Sequence, residues 1–370
     1  MSINQLQPIG GGRIKYLDTL RGFTMLLVVY QHVRNFGLGD LQVEDSSLAL
    51  FFIAFRMPMF FFISGYIAYK HFSFWTVESY KKRLTTKMRV QLIPTIVFFS
   101  ILWYLQLHPQ WNFPGGFWFT EVLFEMFIIY FTIALLSKRV KGKTEEIVLV
   151  TIALGLFFIK GVFVKFPNLQ FLCLRELGTY FVFFTFGLLC KKHNDVFQSL
   201  TMHRWVITGC VIIPLLLLGA AYGPLHMPLN HGLAGPVQLV NGICLVVVIF
   251  SMFRNSAEYW NRSGVIQRCF EYIGRRTLDI YMLHYFFIPV LPTIGLYFRE
   301  STNSDVVEFF VVGVLTLMIT AVVLLTSAFL RMSPILAKYL FGVSPKNPKP
   351  TAPQIETVVS DGQAADSNVK

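Results

Sequence analysis

Along most of this chain, apolar residues gather in runs of about the length that crosses a bilayer, separated by short polar segments. A hydrocarbon core about 30 Å thick needs about 20 helical residues, so each run predicts a transmembrane helix. Ten follow, near 16–33, 48–69, 90–107, 118–136, 146–164, 176–190, 204–222, 236–253, 276–293 and 308–331. The first, sixth and ninth carry charges at their ends. From Ser344 onward the pattern stops, and the polar, Pro-rich stretch SPKNPKPTAPQIETVVSDGQAADSNVK reads as a disordered tail. The expected organisation is therefore all-α. It comprises a polytopic membrane domain of about ten transmembrane helices over 1–343 and a disordered cytoplasmic tail over 344–370.

Composition excludes the soluble alternative that 370 residues would otherwise suggest. Hydrophobic residues make up 54% and charged residues 14%, against about 25% charged in soluble domains. There are 38 Phe, and the mean hydropathy is +0.57. The net charge of +12 would raise the question of nucleic acid in a soluble chain. Here the basic residues lie between the apolar runs, which points to topology and to membrane lipid headgroups, with no nucleic-acid partner. Cytoplasmic loops are the ones enriched in Lys and Arg. With the N-terminus inside, the inner segments hold most of the 32 Lys and Arg, among them Lys81, Lys82, Arg83, Lys87 and Arg89, then Arg254, Arg262, Arg268, Arg275 and Arg276. The outer segments 108–117 and 222–235 hold none. Both termini are expected in the cytoplasm, in agreement with an even number of spans. The first run carries Asp18 and Arg21 and lacks a small-residue cleavage site, unlike a signal peptide. The five Cys are scattered singly with no ligand spacing, so they are expected to be buried thiols rather than a metal or disulfide framework.

Ionisable groups inside spans cost about 2.5–3.5 kcal/mol each at a helix centre on insertion scales, and so mark candidate function. In the first span Arg21 and His32 are eleven positions apart, about 20° past three full turns, which puts both on one face about 16 Å apart. Asp18 lies three residues before Arg21 and can pair with it. A snorkelling Arg and an interfacial His would fit the same spacing. In the second span Arg56 lies too deep to snorkel easily, Pro58 frees a carbonyl nearby, and Ser64 with Gly65 permits close helix approach. A buried Arg wants an anion: a carboxylate, or an oxygen of a substrate. In the fourth span Glu121 and Glu125 are one turn apart, available as counter-ions to Arg56 or as partners for an acceptor hydroxyl. In the ninth, Asp279 and His284 sit within the apolar run; His284 alone reads more readily as a packed, hydrogen-bonded imidazole than as a catalyst.

A neutral His suits abstraction of a hydroxyl proton as the oxygen attacks a carbonyl, and an Arg can stabilise the resulting oxyanion. That is acyl transfer to a hydroxyl, with the donor drawn to a basic inner face. The same groups would also serve as the relay of a proton-coupled glycan transporter or flippase, and a non-catalytic scaffold is a third reading.

The first span resembles the opening of the acyltransferase-3 family of integral membrane O-acyltransferases, in the pattern Arg21, ten residues, His32, set within Tyr16-Leu-Asp18-Thr-Leu-Arg21-Gly22. The segment from Phe55 through Arg56, Pro58, Ser64 and Gly65 to Tyr66 is similar to the family's second-helix motif. Trp118-Phe119 and the stretch from Gly274 to His284 are weaker likenesses. Thr120 and Thr277 depart from the usual Leu and Ser. The resemblance implies a ten-helix, acyltransferase-3-like domain with no bound cofactor. Its donor substrate would be acyl-CoA, expected to be acetyl-CoA, and its acceptor a cell-surface carbohydrate or lipid-linked glycan. His32 would be the general base. Arg21 would hold the donor's phosphates or fix helix geometry, and Arg56 would polarise the thioester carbonyl or anchor a glutamate. Asp18, Ser64, Glu121, Glu125, Trp118 and His284 are the expected substrate-side residues. Without an extracytoplasmic domain of the kind some relatives carry, the chain is expected to act alone or to pass its acyl group to a separate envelope acyl-acceptor protein. The expected location is the inner (cytoplasmic) membrane.

Overall fold

Every element among the described residues is helical, as the spacing of apolar runs requires. The computed structural model describes residues 14–39, 46–69, 75–108, 110–137, 143–163, 165–166, 171–222, 231–300 and 305–342. The expected disordered tail at 344–370 lies outside them.

Helix α1 spans Lys15–His32 and passes directly into a π-helical turn, Val33–Gly37. α2 (Ser47–Ala68) is capped by the Ser46 hydroxyl, which accepts from the Ala49 amide. α3 (Val77–Tyr104) opens on a reciprocal capping box between Thr76 and Ser79, which satisfies two otherwise orphaned amides. α4 (Trp118–Ser137), α5 (Thr144–Phe163) and α6 (Leu174–Lys192) follow. α7 (Asn194–Met202) and α8 (Arg204–Tyr222) form a bent pair, and α9 is His231–Asn255. A short α10 (Ala257–Trp260) leads to α11 (Val265–Arg275) and α12 (Thr277–Leu283), then α13 (Pro292–Glu300), α14 (Asp305–Leu330) and α15 (Pro334–Phe341).

Among the described residues, five stretches are long and apolar enough to cross a membrane: Leu48–Ala68, Gly115–Ser137, Thr144–Phe163, Ala234–Asn255 and Asp305–Leu330. A sixth appears if Asn194–Met202 and Arg204–Leu217, bent by 75°, count as one. Helices also occupy the expected first, third and sixth spans, but α1, α3 and α6 carry charges within or beside their apolar runs. The ninth expected span differs more. Residues 276–293 are not one helix: α12 ends at Leu283, a 3-10 turn follows at His284–Phe286, and 288–291 are non-helical. Pro289 and Pro292 explain the stop, because each biases the residue before it away from helix. The unwound backbone is not left bare: the Leu291 amide donates to the Gly37 carbonyl at 2.6 Å. Irregular backbone at membrane depth is tolerated where protein buries it.

Close approach is built from glycine. A Cβ on Gly65 would lie 2.0 Å from the Phe184 carbonyl oxygen, and one on Gly187 would lie 2.1 Å from that of Phe62. α2 and α6 therefore touch backbone to backbone, where lipid supplies no hydrophobic drive and packing must. Phenylalanine fills the remaining space; Phe55, Phe61, Phe62, Phe117, Phe181, Phe184 and Phe250 are all fully enclosed. Asp279 ties α12 to α14, accepting from Arg331 Nε and Nη2 at 2.7 and 2.6 Å and from the Ser327 hydroxyl.

Candidate functional site

α1 and α2 run antiparallel, with Tyr16 beside Tyr66 at one end and Tyr30 against Phe52 at the other. Each presents one stripe to the space between them and α3, α4 and α12. On α1 the stripe is Arg21, Met25, Val28, His32; on α2 it is Ile67, Ile63, Phe60, Arg56. Both follow the four-three-four spacing of a single helix face. Between the stripes lies a cavity of about 330 Å³ lined by all of these except His32 and Arg56. These two stand one turn beyond its last stripe residues, Val28 and Phe60, and Arg56 is close enough to act electrostatically on His32. On the face that Arg21 shares with His32, the cavity thus runs from Arg21 to Val28, with His32 one turn further on.

The mouth is basic. Arg21, Arg83 and Lys87 line it, with Gln91 and Thr277 as polar neighbours. Arg21 donates to the Thr277 hydroxyl at 3.1 Å and lies 3.9 Å from Asp18. Asp18 is also 3.8 Å from Arg275. Ser64 lines the same cavity. Beyond these polar groups the lining is apolar, with Leu123, Phe127 and Phe131 of α4 on the side facing the α1 and α2 stripes.

At the far end, hydrogen-bond directions follow from one carbonyl. His284 Nδ1 lies 2.9 Å from the Ile280 carbonyl oxygen, which can only accept, so Nδ1 carries the proton. His284 Nε2 is then the acceptor for His32 Nδ1 at 2.7 Å. His32 therefore holds its proton on Nδ1 and keeps a free lone pair on Nε2. The Tyr285 hydroxyl has two acceptors within reach, the Gly116 carbonyl at 3.1 Å and that Nε2 at 3.4 Å, of which the carbonyl is the nearer. Tyr281 donates to the same carbonyl at 2.8 Å. A base, oriented by a second imidazole with its reactive nitrogen uncovered, is the arrangement general-base chemistry needs.

Arg56 has its Nε and Nη1 enclosed with no hydrogen-bond partner, and Tyr180 and Tyr285 are its electrostatic neighbours. No ion pair or hydrogen bond joins it to Glu121 or Glu125 among the described residues. The two glutamates sit together beside Cys173, each with an enclosed and unpartnered Oε2, and line neither this cavity nor a second one of about 260 Å³ around Pro58, Lys160, Tyr180 and Asn241. Trp118 stacks on Tyr180 with centroids 5.6 Å apart and so stands behind Arg56. His284, expected on the substrate side, is fully buried behind His32.

Sequence reading missed Tyr281, Tyr285, Arg83 and Lys87 as site residues. Tyr281, His284 and Tyr285 share the i, i+3, i+4 spacing that places side chains together, a signal already present in the chain. Arg83 and Lys87 were legible only as part of a basic inner face that would draw the donor, not as individual site residues. Among the described residues, no group of three or more His, Cys, Asp or Glu could hold a metal.

A family model described as an acyltransferase domain matches residues 14–325. Glucans biosynthesis protein C from Salmonella paratyphi B (strain ATCC BAA-1250 / SPB7), from Salmonella dublin and from Salmonella gallinarum (strain 287/91 / NCTC 13346) is in each case 24% identical to this chain over 401 residues, covering 92% of it and 97% of the relative. No solved structure matches significantly. The match spans the two stripes, the cavity between them and the paired histidines, and the chain belongs to the acyltransferase-3 family as a multi-pass membrane acyltransferase.

Proposed function

We propose that this protein moves an acyl group, acetyl as the expected case, from acyl-CoA to a hydroxyl of a cell-surface carbohydrate or lipid-linked glycan. It does so as a ten-span protein of the inner membrane with both termini in the cytoplasm. The observation that carries this reading is that His32 Nε2, oriented by His284, and Arg56, with two enclosed unpartnered nitrogens, stand near each other one turn beyond the inner stripe residues of a basic-mouthed cavity. In the positive-inside orientation the mouth opens to the cytoplasm. There Arg21, Arg83 and Lys87 suit the phosphates of the donor, and the narrow apolar bore suits its pantetheine arm and thioester. The cavity is at the small end of ligand pockets, about 300–1,000 Å³, which leaves the nucleotide at the mouth.

His32 Nε2 takes the proton of the acceptor hydroxyl as that oxygen forms its bond to the thioester carbon. Arg56 faces the negative charge that builds on the carbonyl oxygen. As the C–S bond breaks, the sulfur leaves with the proton from His32, giving the ester and free CoA-SH. His284 keeps the imidazole in the working tautomer, and its hydrogen bond to His32 strengthens as His32 becomes cationic. The carbohydrate class rests on the relatives' name and on the family resemblance.

Membrane vesicles carrying wild type or His32→Ala, supplied with acetyl-labelled acetyl-CoA and endogenous glycolipid, test the reading. Base-labile label in the carbohydrate fraction of wild type alone is the expected result. Equal label in both removes His32 as base. Indifference of wild type to acyl-CoA, with glycan nonetheless moved across the membrane, replaces the reading with a transporter.

A further inference from the structure

Beyond His32 a set of rings continues that the transfer step does not use. The π-helical turn carries Phe36 to within 5.7 Å of His108 and 5.6 Å of Trp111, centroid to centroid. His108 and Trp111 stack face to face at 4.0 Å and 6°. Trp111 meets Tyr285 edge-on at 5.0 Å, and the Tyr285 ring lies 5.0 Å from His32. Rings thus run without a gap from the segment between α3 and α4 to the uncovered nitrogen of the base. That segment is held in place: the Gly116 carbonyl accepts both tyrosine hydroxyls. A Cβ on Gly116 would lie 2.6 Å from the Tyr285 ring and 2.7 Å from that of Trp111.

The chemistry of the segment narrows its ligand. Trp111 and His108 are half-buried, and Gln110 and Asn112 beside them are exposed. Residues 108–117 contain no Asp, Glu, Lys or Arg. Burial holds His108 below the usual imidazole range, so it is neutral at neutral pH. Aromatic faces take apolar C–H surface, and side-chain amides take hydroxyls as both donor and acceptor. The segment itself offers no charge to attract an ion. A ligand with an apolar ring face, a rim of hydroxyls and no charge is a neutral sugar unit.

We infer that Trp111 and His108, backed by Phe36 and Tyr285, form the platform on which the acceptor's sugar ring stacks, with one ring hydroxyl directed at His32 Nε2. This inference rests on the acyl-transfer reading for the purpose of the platform, but sugar binding is measured apart from transfer. The full chain in nanodiscs, without acyl-CoA, is titrated with neutral oligosaccharides of glucose, galactose and mannose while binding heat is recorded. Wild type should bind at least one. Trp111→Ala should weaken that binding at least about tenfold, or about 1.4 kcal/mol, and Trp111→Phe should recover most of it. Acyl-CoA binding in Trp111→Ala should match wild type, which shows that the fold is intact and the donor cavity untouched. Gln110→Ala/Asn112→Ala, which trims only exposed side chains, should weaken sugar binding at least about threefold. Failure of wild type to bind any of the three sugars, or equal binding by wild type and Trp111→Ala, overturns the platform and leaves the rings as an interfacial belt. Sugar binding that depends on Trp111 in a protein that transfers no acyl group would keep the platform and overturn the transfer reading.

Discussion

Arg34 and Arg56 both carry guanidinium groups into the helical bundle, and the fold treats them in opposite ways. Arg34 is 0% exposed and donates from Nε to the Glu308 carboxylate at 2.6 Å, and Glu308 is itself 2% exposed. Arg56 has two enclosed nitrogens with no hydrogen-bond partner at all. A charge removed from water without a partner costs several kcal/mol, so the fold has reason to supply one wherever stability alone matters. It does so at Arg34, on the π-helical turn directly after His32, and again at Asp279 with Arg331. Arg56 has no such carboxylate among the described residues. In the proposed transfer, a half-buried cation with two enclosed, unpartnered nitrogens near His32 is a group held for an oxyanion rather than for the fold.

Three substitutions break or sharpen that contrast. The largest effect is expected from Arg34→Met, which removes the guanidinium that the buried Glu308 carboxylate accepts from; unfolding in detergent should show a loss of about 3–5 kcal/mol. The double variant Arg34→Met/Glu308→Met should regain most of it, and a single variant as stable as wild type would place Arg34 with Arg56. Next comes Arg56→Met. Its thermal midpoint should stay near that of wild type, because no partner is orphaned, while acyl transfer should fall about 10²–10³-fold. A large loss of stability with little loss of turnover would invert the comparison. The smallest effect is expected from Thr277→Val at the cavity mouth. One hydrogen bond to Arg21 is lost there, worth about 0.5–1.5 kcal/mol, so KM for acyl-CoA should rise by up to about tenfold with kcat unchanged.

The ninth span shows where pattern reading stops. Hydropathy favours one helix over 276–293, yet the backbone leaves the helix after Leu283 and pairs Leu291 with Gly37. The charges at its start and the prolines at its end were visible. The partner that makes unwinding affordable lies about 250 residues away in the chain. His284 follows the same logic. Its packed, hydrogen-bonded character was legible, but its partner His32 was not, since no local spacing connects residues 252 positions apart. Glu121 and Glu125 teach the converse: their one-turn spacing was legible, and of the two roles it offered, counter-ions to Arg56 or partners for an acceptor hydroxyl, the first forms no ion pair among the described residues.

By itself the sequence determined the all-helical membrane class, the basic side of the bundle, and the shared face of Arg21 and His32. These are local properties, since apolar run length, loop charge and the 100° step of a helix act over neighbouring residues. Only the tertiary structure decided which buried charges are paired, which nitrogen of His32 donates to His284, and that a loop aromatic such as Trp111 reaches Phe36 and Tyr285 beside His32. Each of those depends on a hydrogen bond or ring contact between segments distant in the chain, and the directions of such contacts exist only once the helices have packed.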